Sequence, residues 1–140
     1  FMFDIPVEKL IPQREPFVLV DKITSHKDDL TITSFFIPST HLLLENNRLS
    51  AYGLLENMAQ SAALRSGYQA LSADEKPKVG FIGAIEKATI HHLPSSQQTI
   101  TTEVRQTAQI MNFIIIECSS FLNNTLLSEC SMKIVLQEEV

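Results

Sequence analysis

The order of elements in this chain predicts an α+β fold in which one curved antiparallel sheet of about six strands wraps around one long central helix. Three observations carry that expectation. Residues 17–24 and 30–37 are β-branched or alternating runs separated by the turn-like His26-Lys27-Asp28-Asp29, which reads as a pair of strands in a hairpin. Residues 49–64 contain no proline, no glycine except Gly53 and good helix formers nearly throughout. Four further strand-like runs follow, near residues 79–90, 99–107, 110–121 and 125–136, the last two joined through Asn123-Asn124. Strands do not alternate with helices, so a parallel doubly wound sheet is disfavoured.

The elements can be justified in turn. Pro12-Gln13-Arg14-Glu15-Pro16 punctuates the chain before the first strand, and a loop over residues 38–47 leads into the helix. Ser50 is placed to cap that helix, with Leu49 and Leu54 at the spacing of a hydrophobic staple, and Gly67 or a position shortly after marks its end. No internal repeat, linker or low-complexity tract interrupts residues 1–140, which are expected to form one domain with one core.

Composition narrows the function classes. With 44% hydrophobic and 19% charged residues the chain has the makings of a core, and no apolar run approaches the roughly 18 residues that span a bilayer. The N-terminus lacks the features of a signal peptide, as a mature secreted chain also would, so the cytoplasm is the expected location. Eleven basic against sixteen acidic residues, without a basic cluster, argue against nucleic acid as a partner. Cys118 and Cys130 are too few for a zinc knuckle and read as buried apolar residues, which face each other or opposite ways depending on a single-residue shift of register. His91-His92 reads as an exposed turn without a third metal ligand. Lys87, Lys78, Arg65 and Arg48 are scattered cations that read as solvated surface.

The helix poses one chemical question. Ala51, Leu54, Leu55, Met58, Ala59, Ala62 and Ala63 cover nearly all its sides, as in a buried helix, yet Glu56 is the one charged side chain between Arg48 and Arg65. Burying an unpaired carboxylate costs several kcal/mol (about 3–5 when a partner is removed), so Glu56 needs either a cation from elsewhere or a task. His41 lies 15 residues earlier in the loop, and an imidazole and a carboxyl group together can move protons near neutral pH. Gln60 follows Glu56 by one helical turn, where its amide can orient the carboxyl group. Gly53, Ala59 and Ala63 leave room beside Glu56 for a substrate chain or for close strand packing.

These stretches resemble a known family. Gly53-Leu54-Leu55-Glu56-Asn57-Met58-Ala59-Gln60 is similar to the Glu-x-Met-Ala-Gln helix motif of bacterial 3-hydroxyacyl-(acyl carrier protein) dehydratases, and residues 12–22 resemble their Pro-His-Arg-x-Pro-Phe-x-Leu-Val-Asp-Arg opening. Phe81-Ile82-Gly83-Ala84-Ile85-Glu86-Lys87-Ala88 and Glu129-Cys130-Ser131-Met132 resemble weaker downstream motifs, so the similarity spans nearly the whole chain. The resemblance implies a hot-dog fold and a dimer in which a loop His of one subunit works with the helix Glu of the other. It implies that His41 removes the Cα proton of a 3-hydroxyacyl thioester while Glu56 assists loss of the β-hydroxyl as water, with amides near Ala51 polarising the carbonyl and Gln60 supporting the site. No cofactor is implied beyond the phosphopantetheine that carries the substrate, and the implied partners are an acyl carrier protein and a second hot-dog subunit, identical or related. Leu42-Leu43-Leu44 stands where the family has Phe-Pro-Gly after its His, the spacing from His41 to Glu56 is one residue longer, Ser50-Ala51 replaces Pro-Gly, and Gln13 replaces the opening His. These departures resemble the branch associated with aryl polyene and flexirubin-type pigments.

Two other functions fit the same residues. One is a noncatalytic subunit of a heteromeric dehydratase, or an acyl-carrier-binding partner; the other is a hot-dog thioesterase in which Glu56 activates water.

Overall fold

The computed structural model describes residues 4–75 and 80–137. A short 3-10 turn, Val7–Lys9, precedes strands β1 (Lys22–Lys27) and β2 (Leu30–Phe36), then the miniature strands β3 (Leu44–Glu45) and β4 (Arg48–Leu49). Helix α1 (Ala51–Ser72) follows, and then β5 (Gly80–Ile90), β6 (Thr99–Ile110), β7 (Phe113–Leu122) and β8 (Thr125–Leu136). The main sheet has six strands in the order β1-β2-β6-β7-β8-β5, with every neighbouring pair antiparallel. One long helix against one six-stranded sheet is the predicted architecture, the hot-dog fold.

Strand alternation positions the helix. Along β7, Ile114, Ile116, Cys118 and Ser120 are buried on one face, and β6 and β8 add Ile100, Thr102, Val104, Cys130 and Met132. Met58 and Ala62 pack into this surface, Leu54 packs with Leu19, Phe35, Ile37 and Ile100, and Leu64 and Tyr68 pack against Val7, Leu10, Val18 and Val20. The register pairs Cys118 directly with Cys130, so both thiols face the core. A hydrogen bond to Cys130, together with burial, pushes the Cys118 thiol well up, which makes it a poor nucleophile.

The helix begins where the sequence places it. Ser50 is extended and its side chain accepts from the Gly53 amide at 3.1 Å, while Leu49 and Leu54 are both fully buried in one cluster. Its end is a correction: α1 runs through Gly67 to Ser72. Gly67 is needed for close approach, because a Cβ there would stand 2.2 Å from the Leu10 carbonyl oxygen.

The first strand is a second correction. It begins at Lys22, and residues 17–20 lie outside the sheet. Helix side chains supply their pairing: the Leu19 amide donates to Gln60 Oε1 at 2.7 Å, Asn57 Nδ2 donates to the Leu19 carbonyl at 2.7 Å, and Gln60 Nε2 donates to the Phe17 carbonyl at 2.9 Å. β-branched residues favour a strand, but the groups that satisfy this backbone lie on a helix. The loop over 38–47 also contains structure, since Asn46 and Asn47 take φ of 51° and 63° and close a two-residue hairpin between β3 and β4. Strand β5 differs from the rest of the sheet. Among the described residues it pairs only with β8, carries two bulges and has no fully buried residue.

Candidate active site

The loop carrying His41 is tied to the helix start. The Ser50 amide donates to the Leu43 carbonyl at 3.0 Å, and the Leu44 amide donates to the His41 carbonyl at 3.1 Å. His41 Nδ1 accepts from the Leu43 amide at 3.1 Å, its ring meets Phe35 edge to face at 6.2 Å, and its Nε2 is buried without a partner. The ring lines an open groove of about 760 Å³ together with Glu15, Pro16, Pro38, Thr40 and Leu42.

Glu56 lies near the start of α1, partly exposed in the single chain. That corrects the expectation of full burial. The helix face it shares with Leu55, Ala59 and Ala63 is only half covered, whereas Met58 and Ala62 on the other side are enclosed by the sheet. Each carboxylate oxygen has a donor: Tyr52 Oη to Oε1 at 3.4 Å and Gln60 Nε2 to Oε2 at 3.2 Å. Tyr52 was not anticipated, although its position one turn before Glu56 is the spacing that brings helical side chains together. The orienting contact expected of Gln60 is present, but this fully buried amide also holds the backbone of Phe17 and Leu19. Asn57, likewise unanticipated, bonds Leu19 and accepts from Thr102 Oγ1 at 2.5 Å. Ala51 is exposed at the helix start.

Among the described residues no hydrogen bond or ion pair joins His41 to Glu56 within the chain, and Glu56 does not line the His41 groove. The remaining candidates lie elsewhere. His91 bonds Glu129 at 2.8 Å on the surface, and no cluster of three metal-ligating residues occurs among the described residues. Arg65 is a correction, since it is buried and donates to Thr31 Oγ1 at 2.6 Å instead of lying in solvent. Burial lowers its pKa, offset in part by Asp29. Lys78 lies outside the described residues.

A hot-dog fold whose central helix presents a Glu held by a Gln one turn later is the arrangement expected of a dehydratase-like protein. The comparisons agree and are more specific. The family model described as ApeP-like, ApeP dehydratase, matches residues 5–140, and the chain belongs to that family. It is thus a dehydratase-type lyase of the aryl polyene kind. It is 26% identical over 136 residues to the 3-hydroxyacyl-[acyl-carrier-protein] dehydratase FabZ of Clostridioides difficile, covering 95% of this chain and 96% of that one. Among solved structures it is similar to the dehydratase heterocomplex ApeI:P from Xenorhabdus doucetiae, with a TM-score of 0.86 at 16% identity over 96% of this chain and 93% of that one. A hypothetical thioesterase from Streptococcus pneumoniae shares the fold with a TM-score of 0.68 at 8% identity, over 84% and 85% of the two chains. No helix among the described residues is long and apolar enough to cross a membrane.

Proposed function

We propose that this protein converts a 3-hydroxyacyl thioester, carried on the phosphopantetheine of an acyl carrier protein, to a trans-2-enoyl thioester, with Glu56 and His41 as its reacting groups. The observation that carries this reading is Glu56 itself. It is the one carboxylate on the helix from Ala51 to Ser72, it lies on that helix's half-open face, and two side chains of the same helix hold its oxygens. Membership of the ApeP family and similarity to a FabZ dehydratase support the reaction class. The exposed helix start at Ala51 can offer a backbone donor to the thioester carbonyl.

Among the described residues His41 and Glu56 share no hydrogen bond within one chain, and in this reading the complete site takes one group from each of two subunits. Strand β5 supports an assembly of this kind: it is an unpaired sheet edge exposing Phe81, Ile82 and Ile85, the surface expected to add a further strand. The ApeI:P heterocomplex is a related protein assembled with another subunit, and it favours a second reading in which a related hot-dog chain completes the site.

Intact-mass analysis of an acyl carrier bearing a 3-hydroxyacyl group tests the reaction. Wild-type protein is expected to remove one water from the acyl group. Glu56→Gln should remain folded and lose about 10²–10⁴-fold in rate, the usual contribution of an acid/base group. Free acid and thiol as products would indicate thioesterase chemistry instead, and activity only after addition of a related subunit would favour the heteromeric reading.

A further inference from the structure

The hydrogen bonds at Glu56 distinguish its two oxygens, and the inference drawn from them rests on the dehydratase reading above. Gln60 Oε1 accepts from the Leu19 amide at 2.7 Å, and Gln60 Nε2 donates to the Phe17 carbonyl at 2.9 Å. Both partners are backbone groups of fixed polarity, so the Gln60 amide cannot turn over. The other N–H of its nitrogen therefore faces Glu56 Oε2, at 3.2 Å. Gln60 is 1% exposed, so this donor is held in place. An amide N–H donates and never accepts. Oε2 is thus the oxygen that takes a hydrogen bond whether Glu56 is ionised or protonated, and the proton of the acid belongs on Oε1.

Oε1 has a different neighbour. Tyr52 lies one turn before Glu56, and its hydroxyl donates to Oε1 at 3.4 Å, a long contact from a residue that is 60% exposed. A hydroxyl both donates and accepts. It can donate to Oε1 of the carboxylate and, by rotating about its C–O bond, accept from Oε1–H of the acid. Among the described residues, Tyr52 and Gln60 are the side chains hydrogen-bonded to Glu56. One is a buried donor of fixed sense, the other an exposed group of reversible sense.

We infer that Glu56 passes its proton through Oε1, and that Tyr52 is the positioning residue that holds this oxygen in both protonation states. In the reaction proposed above, the Cα proton goes to His41 and the electron pair of that bond forms the Cα=Cβ double bond. The Cβ–O bond breaks with its pair on oxygen, which takes the Oε1 proton and leaves as water. Glu56 is then a carboxylate, to which the Tyr52 hydroxyl donates. His41 gives its proton to solvent, Oε1 takes one back, and the hydroxyl turns to accept. Gln60 keeps its bond to Oε2 throughout, so the carboxyl group need not rotate between turnovers. Tyr52 acts through Glu56 and not on the substrate.

Turnover of a 3-hydroxyacyl carrier by three variants of the full chain tests this role. Tyr52→Phe keeps the ring and removes only the hydroxyl, so kcat should fall about two- to tenfold, the worth of one hydrogen bond, with KM unchanged. Tyr52→Gln, whose amide offers a donor and an acceptor at the same spacing, should recover most of that loss. Tyr52→Lys can only donate and should fall at least as far as Tyr52→Phe. All three should keep the thermal stability of wild type, because the residue is exposed. A wild-type kcat in Tyr52→Phe or Tyr52→Lys, a loss confined to KM, or Tyr52→Gln no better than Tyr52→Phe would overturn the assignment and leave the dehydratase reading standing. Wild-type protein that dehydrates no 3-hydroxyacyl thioester would overturn both.

Discussion

Gln60 and His26 each join a side chain to more than one neighbour. The Gln60 amide bonds two backbone groups of the segment before β1 and reaches Glu56 with the same nitrogen. Gln60→Leu would leave the Leu19 amide and Phe17 carbonyl without these partners, at about 1–3 kcal/mol for the buried Leu19 amide. Urea denaturation should show the loss. The sequence placed Gln60 beside Glu56 by helical spacing, but its partners 41 and 43 residues away in the chain depend on tertiary packing that spacing does not encode. His26 has a pH consequence. Arg65 donates to Thr31 Oγ1, so the Thr31 hydroxyl is free to donate to His26 Nδ1 at 2.7 Å, which suits a neutral ring. Burial, and then the nearby Arg65 charge, lower the His26 pKa. The native state therefore binds fewer protons than the unfolded chain between the lowered value and the ordinary value near 6.5, so this group's stabilisation is lost as pH falls through that window. The drop in urea midpoint from pH 7.5 to pH 5.5 should be smaller in His26→Gln than in wild type.

Helix α1 shows which signals a local pattern does and does not carry. Its start was legible because capping is local: Ser50, Gly53 and the Leu49–Leu54 pair all lie within one turn of each other. Its end was misread because Gly67 carries two meanings, a helix stop or a close contact, and only the Leu10 backbone packed against it distinguishes them. Gly67→Ala should therefore destabilise the protein by about 1–3 kcal/mol through overpacking, although alanine is the better helix former by about 1 kcal/mol. A calorimetric Tm above that of wild type would show that the chain can shift to admit the methyl group. The strand expected over residues 17–20 failed for a related reason. β-branched composition reports a preference for strand, not the identity of the partner, and here the partners are Asn57 and Gln60.

At the scale of the whole molecule, the six strands and the central helix were readable from the succession of elements, whereas the relation of His41 to Glu56 was not. Spacing of 15 residues is compatible with contact in one chain or across two, and among the described residues no hydrogen bond joins the two within the chain. The bare edge of β5 is where the proposed assembly adds a second subunit. Ile82→Lys combined with Ile85→Lys should convert an assembled protein to single chains in sedimentation analysis and abolish turnover without unfolding them, since both positions are exposed in the chain alone. The most direct test of a site shared between subunits mixes two defective proteins. Glu56→Gln and His41→Ala, each inactive alone, are dissociated together and allowed to reassemble. A mixed dimer contains one site with both native groups, so dehydration of the 3-hydroxyacyl carrier should reappear on mixing. A mixture that contains mixed dimers by mass yet stays as inactive as its parents would contradict a site built from His41 of one copy and Glu56 of the other.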